Sequence, residues 1–235
     1  MASYEEDSTD SPTGDAPGGE VFRLSERDLR EAAALHVEEL PEEFVSRFGV
    51  RFIEGYYRAF SEGEDAVALG VRDPHNGRLL GVMIGASDAR AHYSYLVRKH
   101  GPGLALNAVR AAVKNPSLAA DLVRTRLLRY ASGLFRATVS GRGEEPHEAP
   151  EEDHHRVGFA VYVAVRSGER RSGSGRKLFR VFESFCRESG SHRIEVATRP
   201  DSAGEKFFTA LGWNREEERV TRSDERYVIF QKLLR

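Results

Sequence analysis

The chain has 235 residues, 40% of them hydrophobic, which is enough for a sizeable core in one or two domains. Thirty-five Lys and Arg stand against 37 Asp and Glu; the formal net charge of -2 excludes a wholly basic nucleic-acid binder and an acidic disordered chain. A single cysteine excludes an intrachain disulfide framework and a Cys-rich zinc site, and no apolar run approaches the roughly 18 residues needed to cross a bilayer.

Residues 1–20 are acidic and rich in Gly, Pro and Ser, without the basic and apolar parts of a signal peptide. They predict a flexible tail on a soluble cytoplasmic protein. Order should begin at Val21 with a short strand, VFRL. Ser25 with Asp28 predicts a helix start, and Leu29, Ala33, His36 and Leu40 recur at helical spacing. Pro41 is placed to restart a helix. Phe44, Phe48, Phe52, Tyr56 and Phe60, four apart, predict one helix with an aromatic face. Most of that face should be core, with a few rings left to line a pocket.

Residues 66–73 and 78–87 read as a hairpin around Asn76-Gly77. From 89 to 136 the pattern is helical, cut into three by Gly101-Pro102-Gly103 and Asn115-Pro116. Nine cations face one acid, Asp121, over this stretch. It is either a solvated basic surface or a docking surface for an anionic partner. Residues 137–155 read as a mobile loop; its histidines and acids have no fixed ligand spacing, so no metal is expected. VGFAVYVAV (157–165) is apolar on both parities and predicts a central strand buried on both faces. Helix 177–186, strand 193–198, helix 203–211 and strands 213–220 and 226–233 complete the chain.

The chemistry-bearing stretch joins the 157–165 strand to the 177–186 helix through RSGERRSGSGRK. A strand that enters a basic, Gly-rich turn and then a helix suits a diphosphate, because amides of the turn and the helix dipole point at the anion. Gly173 and Gly175 allow close approach, and Arg170, Arg171 and Arg176 supply charge. The spacing matches neither a Walker loop nor a G-x-G-x-x-G fingerprint.

Arg170–Gly175, R-R-S-G-S-G, resembles the pyrophosphate loop of the GNAT superfamily of acyl-CoA-dependent N-acyltransferases, and FFTALGW (207–213) is similar to that family's F-Y-x-x-L-G-F/W segment. The resemblance spans about 21–88 and 156–235 and leaves the helical excursion outside as an insertion. It implies an α/β GNAT fold: a mixed, mostly antiparallel sheet flanked by helices and splayed beside the 157–165 strand, in a single domain from 21 to 235. It also implies acetyl-CoA or another acyl-CoA as co-substrate. Pantetheine would pair near Val163 and Val165, and the pyrophosphate would rest on Arg170, Arg171, Ser172, Gly173, Ser174, Gly175 and Arg176. Asp201 or Ser202 stands where the family commonly has an asparagine. Phe208 stands where the family commonly has a tyrosine that protonates the departing thiolate, and Phe159 where some members have an acid.

Those departures leave the proton transfers to other groups. His155 shares strand parity with Phe159, and histidine titrates near working pH. Tyr162 and Glu195 are further candidates from neighbouring strands. Cys186, among Phe182 and Phe185, reads as core rather than as a nucleophile. The expected activity is transfer of an acyl group, acetyl first, to the amine of a small molecule by direct attack. The alternatives are an amide-forming enzyme of the same fold with a tRNA- or carrier-protein-bound substrate, and a non-catalytic acyl-CoA-binding module.

Overall fold

The computed structural model describes residues 19–115, 117–118, 156–220 and 226–234. The expected N-terminal tail, the 119–136 part of the helical excursion, the 137–155 loop and His155 lie outside the described residues.

Strand β1 (Val21–Arg23) leads to α1 (Leu29–Glu39). The helix starts later than Ser25, because the Asp28 carboxylate accepts the Ser25 N–H at 2.8 Å and closes a turn first. The aromatic ladder is not one helix. Phe44–Phe48 forms a 3-10 turn, Gly49 breaks it at φ 79°, and α2 runs Val50–Glu62. The rings nevertheless stack across the break, Phe48 to Phe52 at 4.7 Å and Phe52 to Tyr56 at 6.4 Å. Strands β2 (Ala66–Arg72) and β3 (Leu79–Ala86) form the expected hairpin.

Helix α3 (Ala89–Tyr95) continues without interruption through a π turn (Leu96–His100) into α4 (Gly101–Lys114). The Gly-Pro-Gly was expected to end a helix. Instead Pro102 sits in the first turn of α4, directly after the π turn. Strand β4 (Val157–Val165), α5 (Ser174–Glu188), β5 (Arg193–Thr198), α6 (Ala203–Ala210), β6 (Asn214–Val220) and β7 (Arg226–Leu233) follow.

The sheet order is β1-β2-β3-β4-β5-β7-β6, and β4–β5 is its parallel pair. Two apolar cores lie on its faces. One packs α1 and α2 through Leu29, Leu35, Ile53, Tyr57 and Phe60 against Val82, Ile84 and Ala164. The other packs α5 and α6 through Leu178, Phe179, Phe182 and Phe208 against Met83, Ala160, Val196 and Phe230. Each such ring or aliphatic group stabilises by about 1.5–3 kcal/mol when withdrawn from water. Gly85 and Gly158 let α5 approach closely: a Cβ on them would lie 2.5 Å from the Phe182 ring and 2.8 Å from Cys186 Sγ. Burial pushes the Cys186 thiol up to about 12, which fits a packing residue and not a nucleophile.

Strand β4 is central, but it is not buried on both faces. Only Gly158, Ala160 and Ala164 are buried along it. The reason is topological. β4 pairs with β5 from Val157 to Ala160 and then leaves it, while β5 stays with β7 as far as Thr198.

Candidate active site

The β4–β5 separation begins at an irregularity. Ile84 pairs with Tyr162 and Gly85 with Ala160, so Val161 is an extra residue in β4. Such a bulge turns the strand and increases its twist. It also puts Val161 and Tyr162 on the α1–α2 face together, with Val163 on the α5 face.

Beyond the bulge, β4 still pairs with β3, Val163 opposite Met83 and Val165 opposite Gly81. The Arg166 N–H donates to the Leu80 carbonyl at 2.9 Å. Antiparallel ladders alternate, so Ala164 and Tyr162 also bond toward β3, and Val163 and Val165 turn their peptide groups to the other edge. That is the edge β5 has left. Among the described residues, the Arg170 Nε, 3.4 Å from the Val165 carbonyl, is what reaches it.

The edge runs down into the basic turn. Arg171 and Gly173 hold left-handed backbone, φ 70° and 90°. Glycine takes that conformation freely and arginine does not. A Cβ on Gly173 would meet nothing within 4 Å, so its backbone angle, not crowding, requires glycine. Gly173 caps α5 without a side chain, and the first ladder bond runs from the Lys177 N–H to the Gly173 carbonyl. The amides of Ser174, Gly175 and Arg176 are therefore the helix's unpaired donors, with the positive end of its dipole behind them. Ser172 and Ser174 join through their hydroxyls at 2.9 Å. This cradle fits a diphosphate.

Its three arginines differ. Arg170 is ion-paired with Glu39 at 3.0 Å, whereas Arg171 and Arg176 have no ion-pair partner among the described residues. Gly175 faces not the open turn but the Phe207 ring, 3.4 Å from where its Cβ would be. The Phe207 ring thus connects α6 to the turn. Phe208, which stands at the family's tyrosine position, is placed differently. Phe208 is 3% exposed, inside a cluster of Phe179, Phe207, Trp213 and Phe230. Its neighbour one step round the helix holds the position against the turn. Ser202 caps α6, accepting the Glu205 N–H at 3.2 Å and donating to the Arg199 carbonyl at 2.6 Å. Asp201 has φ 57° and donates its N–H to Glu205. Both are occupied in building the start of α6.

On the opposite face, Tyr162 follows the split. Its ring packs against His36 at 4.9 Å and Tyr56 at 6.5 Å. His36 is fully buried, with Nδ1 3.2 Å from the Tyr57 hydroxyl and, among the described residues, no partner for Nε2. Burial lowers its pKa to about 4, so the ring is neutral at neutral pH. The helical spacing placed His36 on the inner face of α1 but gave no sign that two tyrosines from elsewhere in the chain would meet it. Glu195 lies on the same sheet face as Phe159, its partner across β4–β5, in the part where the strands are still joined. Its carboxylate is held by Arg193 at 2.9 Å. The structure therefore separates Tyr162, beyond the split, from Glu195, before it.

The end of α1 ties both lips of the opening. Glu38 pairs with Arg166 at 3.0 Å, and Glu39 accepts the Ser167 N–H at 2.9 Å. From the β5 side, Arg199 donates to the Glu42 carbonyl at 3.1 Å.

No protein-family model matches the chain, and no curated protein matches it in sequence. Solved structures do. Ard1 from Thermoplasma volcanium superposes with a TM-score of 0.53 at 12% identity, covering 93% of this chain and 99% of that one. An acetyltransferase of the GNAT family from Desulfovibrio desulfuricans gives 0.52 at 12% identity, with 92% and 99% covered. The yncA protein of Salmonella typhimurium, solved with acetyl-CoA, gives 0.52 at 11% identity, with 92% and 94% covered. The chain has the GNAT fold. Among the described residues no helix is long and apolar enough to cross a membrane, and no cluster of His, Cys, Asp and Glu could hold a metal ion.

Proposed function

We propose that the protein is a cytoplasmic N-acyltransferase that moves an acyl group, acetyl in the first instance, from acyl-CoA to the amine of a small molecule. One observation carries the reading: the peptide edge of β4 from Val163 to Val165 is open and leads directly onto the amide cradle at Ser174–Arg176. An extended amide-bearing chain that ends in a diphosphate matches both parts. The peptide groups of Val163 and Val165 pair with its amides, and Arg171 and Arg176 balance its phosphate charge. The co-substrate supplies a thioester carbonyl already activated toward nucleophiles.

The acceptor enters from the α1–α2 side, past Tyr56 and Phe52. Its neutral amine attacks the thioester carbonyl carbon, the C–N bond forms, and the C–S bond breaks. The amine gives up one proton to water, and the leaving thiolate takes one. A thiol's pKa near 8.5 makes that departure undemanding. Tyr162, set beyond the bulge, is the donor we assign to it. Glu195 is engaged by Arg193 and takes no step.

A mass-spectrometric screen of acyl-CoAs against a broad amine panel tests the activity. Tyr162→Phe should lower kcat by at least about tenfold and leave calorimetric acyl-CoA affinity unchanged. No turnover in the whole panel, with tight acyl-CoA binding retained, would identify a binding module instead.

A further inference from the structure

Helix α4 faces the wrong way for a simple surface helix. Its buried side is built of Leu104 and smaller groups, Asn107, Ala108, Ala111 and Ala112, and it seats on α2 where Gly55 leaves room: a Cβ there would be 3.4 Å from Leu104. Its larger apolar side chains point out. Leu106 is 50% exposed, Val109 59% and Val113 79%. Val97 on the π turn is also exposed, at 41%. Leu106, Val109 and Val113, three and four residues apart, share one face of α4 and span about 10 Å at 1.5 Å per residue. Large apolar side chains exposed together on one helix face mark an interaction surface.

Charge decides the partner. From Ala89 to Ser117 the chain has no Asp or Glu, and Arg90, Arg98, Lys99, Arg110 and Lys114 are all exposed. Of these, Lys99 is paired with Glu62. A second copy docked strip to strip would set these cations against one another, which disfavours association. The strip is also a crest, with side chains up to four-fifths exposed, and offers no groove for a peptide. An apolar crest with Arg110 and Lys114 beside it in the helix matches an anionic plane with an apolar layer beneath it.

We propose that the Ala89–Lys114 helical excursion docks on the surface of an anionic phospholipid bilayer. It lies parallel to the plane, with Leu106, Val109 and Val113 at the acyl boundary and Arg110 and Lys114 on headgroup phosphates. This inference does not depend on the acyltransferase reading.

Cosedimentation of the full chain with vesicles tests it. Phosphatidylcholine vesicles containing phosphatidylglycerol should bind at least about tenfold tighter than phosphatidylcholine alone, and added salt should reduce the difference. Val109→Asn/Val113→Asn removes apolar area without changing charge. Its melting temperature should hold, because both side chains are exposed, and vesicle affinity should fall at least about tenfold. Arg110→Gln/Lys114→Gln should lose the preference for anionic vesicles. Absence of vesicle binding, or equal binding to both vesicle types, overturns the proposal. So does wild-type binding by the asparagine variant, which would place the contact in residues 119–136. A wild-type dimer that becomes monomeric in the asparagine variant would make the strip a contact between copies, and would overturn it too.

Discussion

Glu39 meets Arg170 at 3.0 Å with a side chain only 6% exposed, while Arg170 itself is 54% exposed. One carboxylate oxygen takes the guanidinium and the other takes the Ser167 N–H at 2.9 Å. The last turn of α1 is thereby bonded to the turn that leaves β4. The same arginine approaches the Val165 carbonyl, so Glu39 also determines where that side chain rests over the open edge.

The three arginines of the turn should therefore not be equivalent. Arg171→Ala and Arg176→Ala each remove a cation with no ion-pair partner among the described residues, and should weaken acyl-CoA binding about tenfold, with a shallower salt dependence. Arg170→Ala removes a cation already shared with Glu39. It should cost less affinity and more stability, because a nearly enclosed carboxylate is left without its ion pair. Calorimetry at two ionic strengths and a melting curve for each variant separate these outcomes. Equal losses of affinity would show that the Glu39 contact opens when ligand binds.

Gly173 and Gly175 should fail for different reasons. Gly173→Ala puts a Cβ on a residue at φ 90°, which costs about 1–2 kcal/mol or shifts the turn. Because nothing crowds that Cβ, the loss should fall on acyl-CoA affinity more than on melting temperature. Gly175→Val sends its methyls into Phe207, and should lower both. A Gly173→Ala protein with unchanged affinity would mean that the cradle is not the anion site.

Much of this was readable in the chain. The hairpin at Asn76-Gly77, strand Arg193–Thr198 and the R-R-S-G-S-G turn have short-range signatures that the fold left intact. What failed was set by tertiary contact. Gly49 divides an aromatic ladder whose period continues across the break. β4 is apolar on both parities, yet it is half-buried because β5 leaves it at Ala160, a separation that no local pattern encodes. The Phe207–Phe208 pair shows the resolution limit of a motif: adjacent identical residues on a helix differ by about 100° in direction. A one-residue match could not say which ring would face the turn. His36 looked like any inner-face residue, because its partners Tyr57 and Tyr162 are supplied by α2 and β4.

His36 should make the fold acid-sensitive. Its folded-state pKa is near 4 and its unfolded value near 6.5, both set by whether the imidazole can be hydrated when charged. Between those values the unfolded chain binds the proton and the folded one does not. Stability is therefore complete above about pH 6.5, is lost as pH falls toward 4, and then levels off for this group. The full loss is on the order of 3 kcal/mol. His92, buried beside Phe60 at 4.2 Å with neither ring nitrogen bonded among the described residues, has its pKa lowered in the same direction by the same cause and adds to the slope. Replacing His92 with phenylalanine removes two unpartnered nitrogens without losing the ring contact, so His92→Phe should be at least as stable as the parent at pH 7.5. It should also lose less stability on going to pH 5. Urea unfolding at the two pH values measures both quantities. A variant with the parental slope would mean that His92 is solvated in the native state, and a flat parental profile would mean the same of His36.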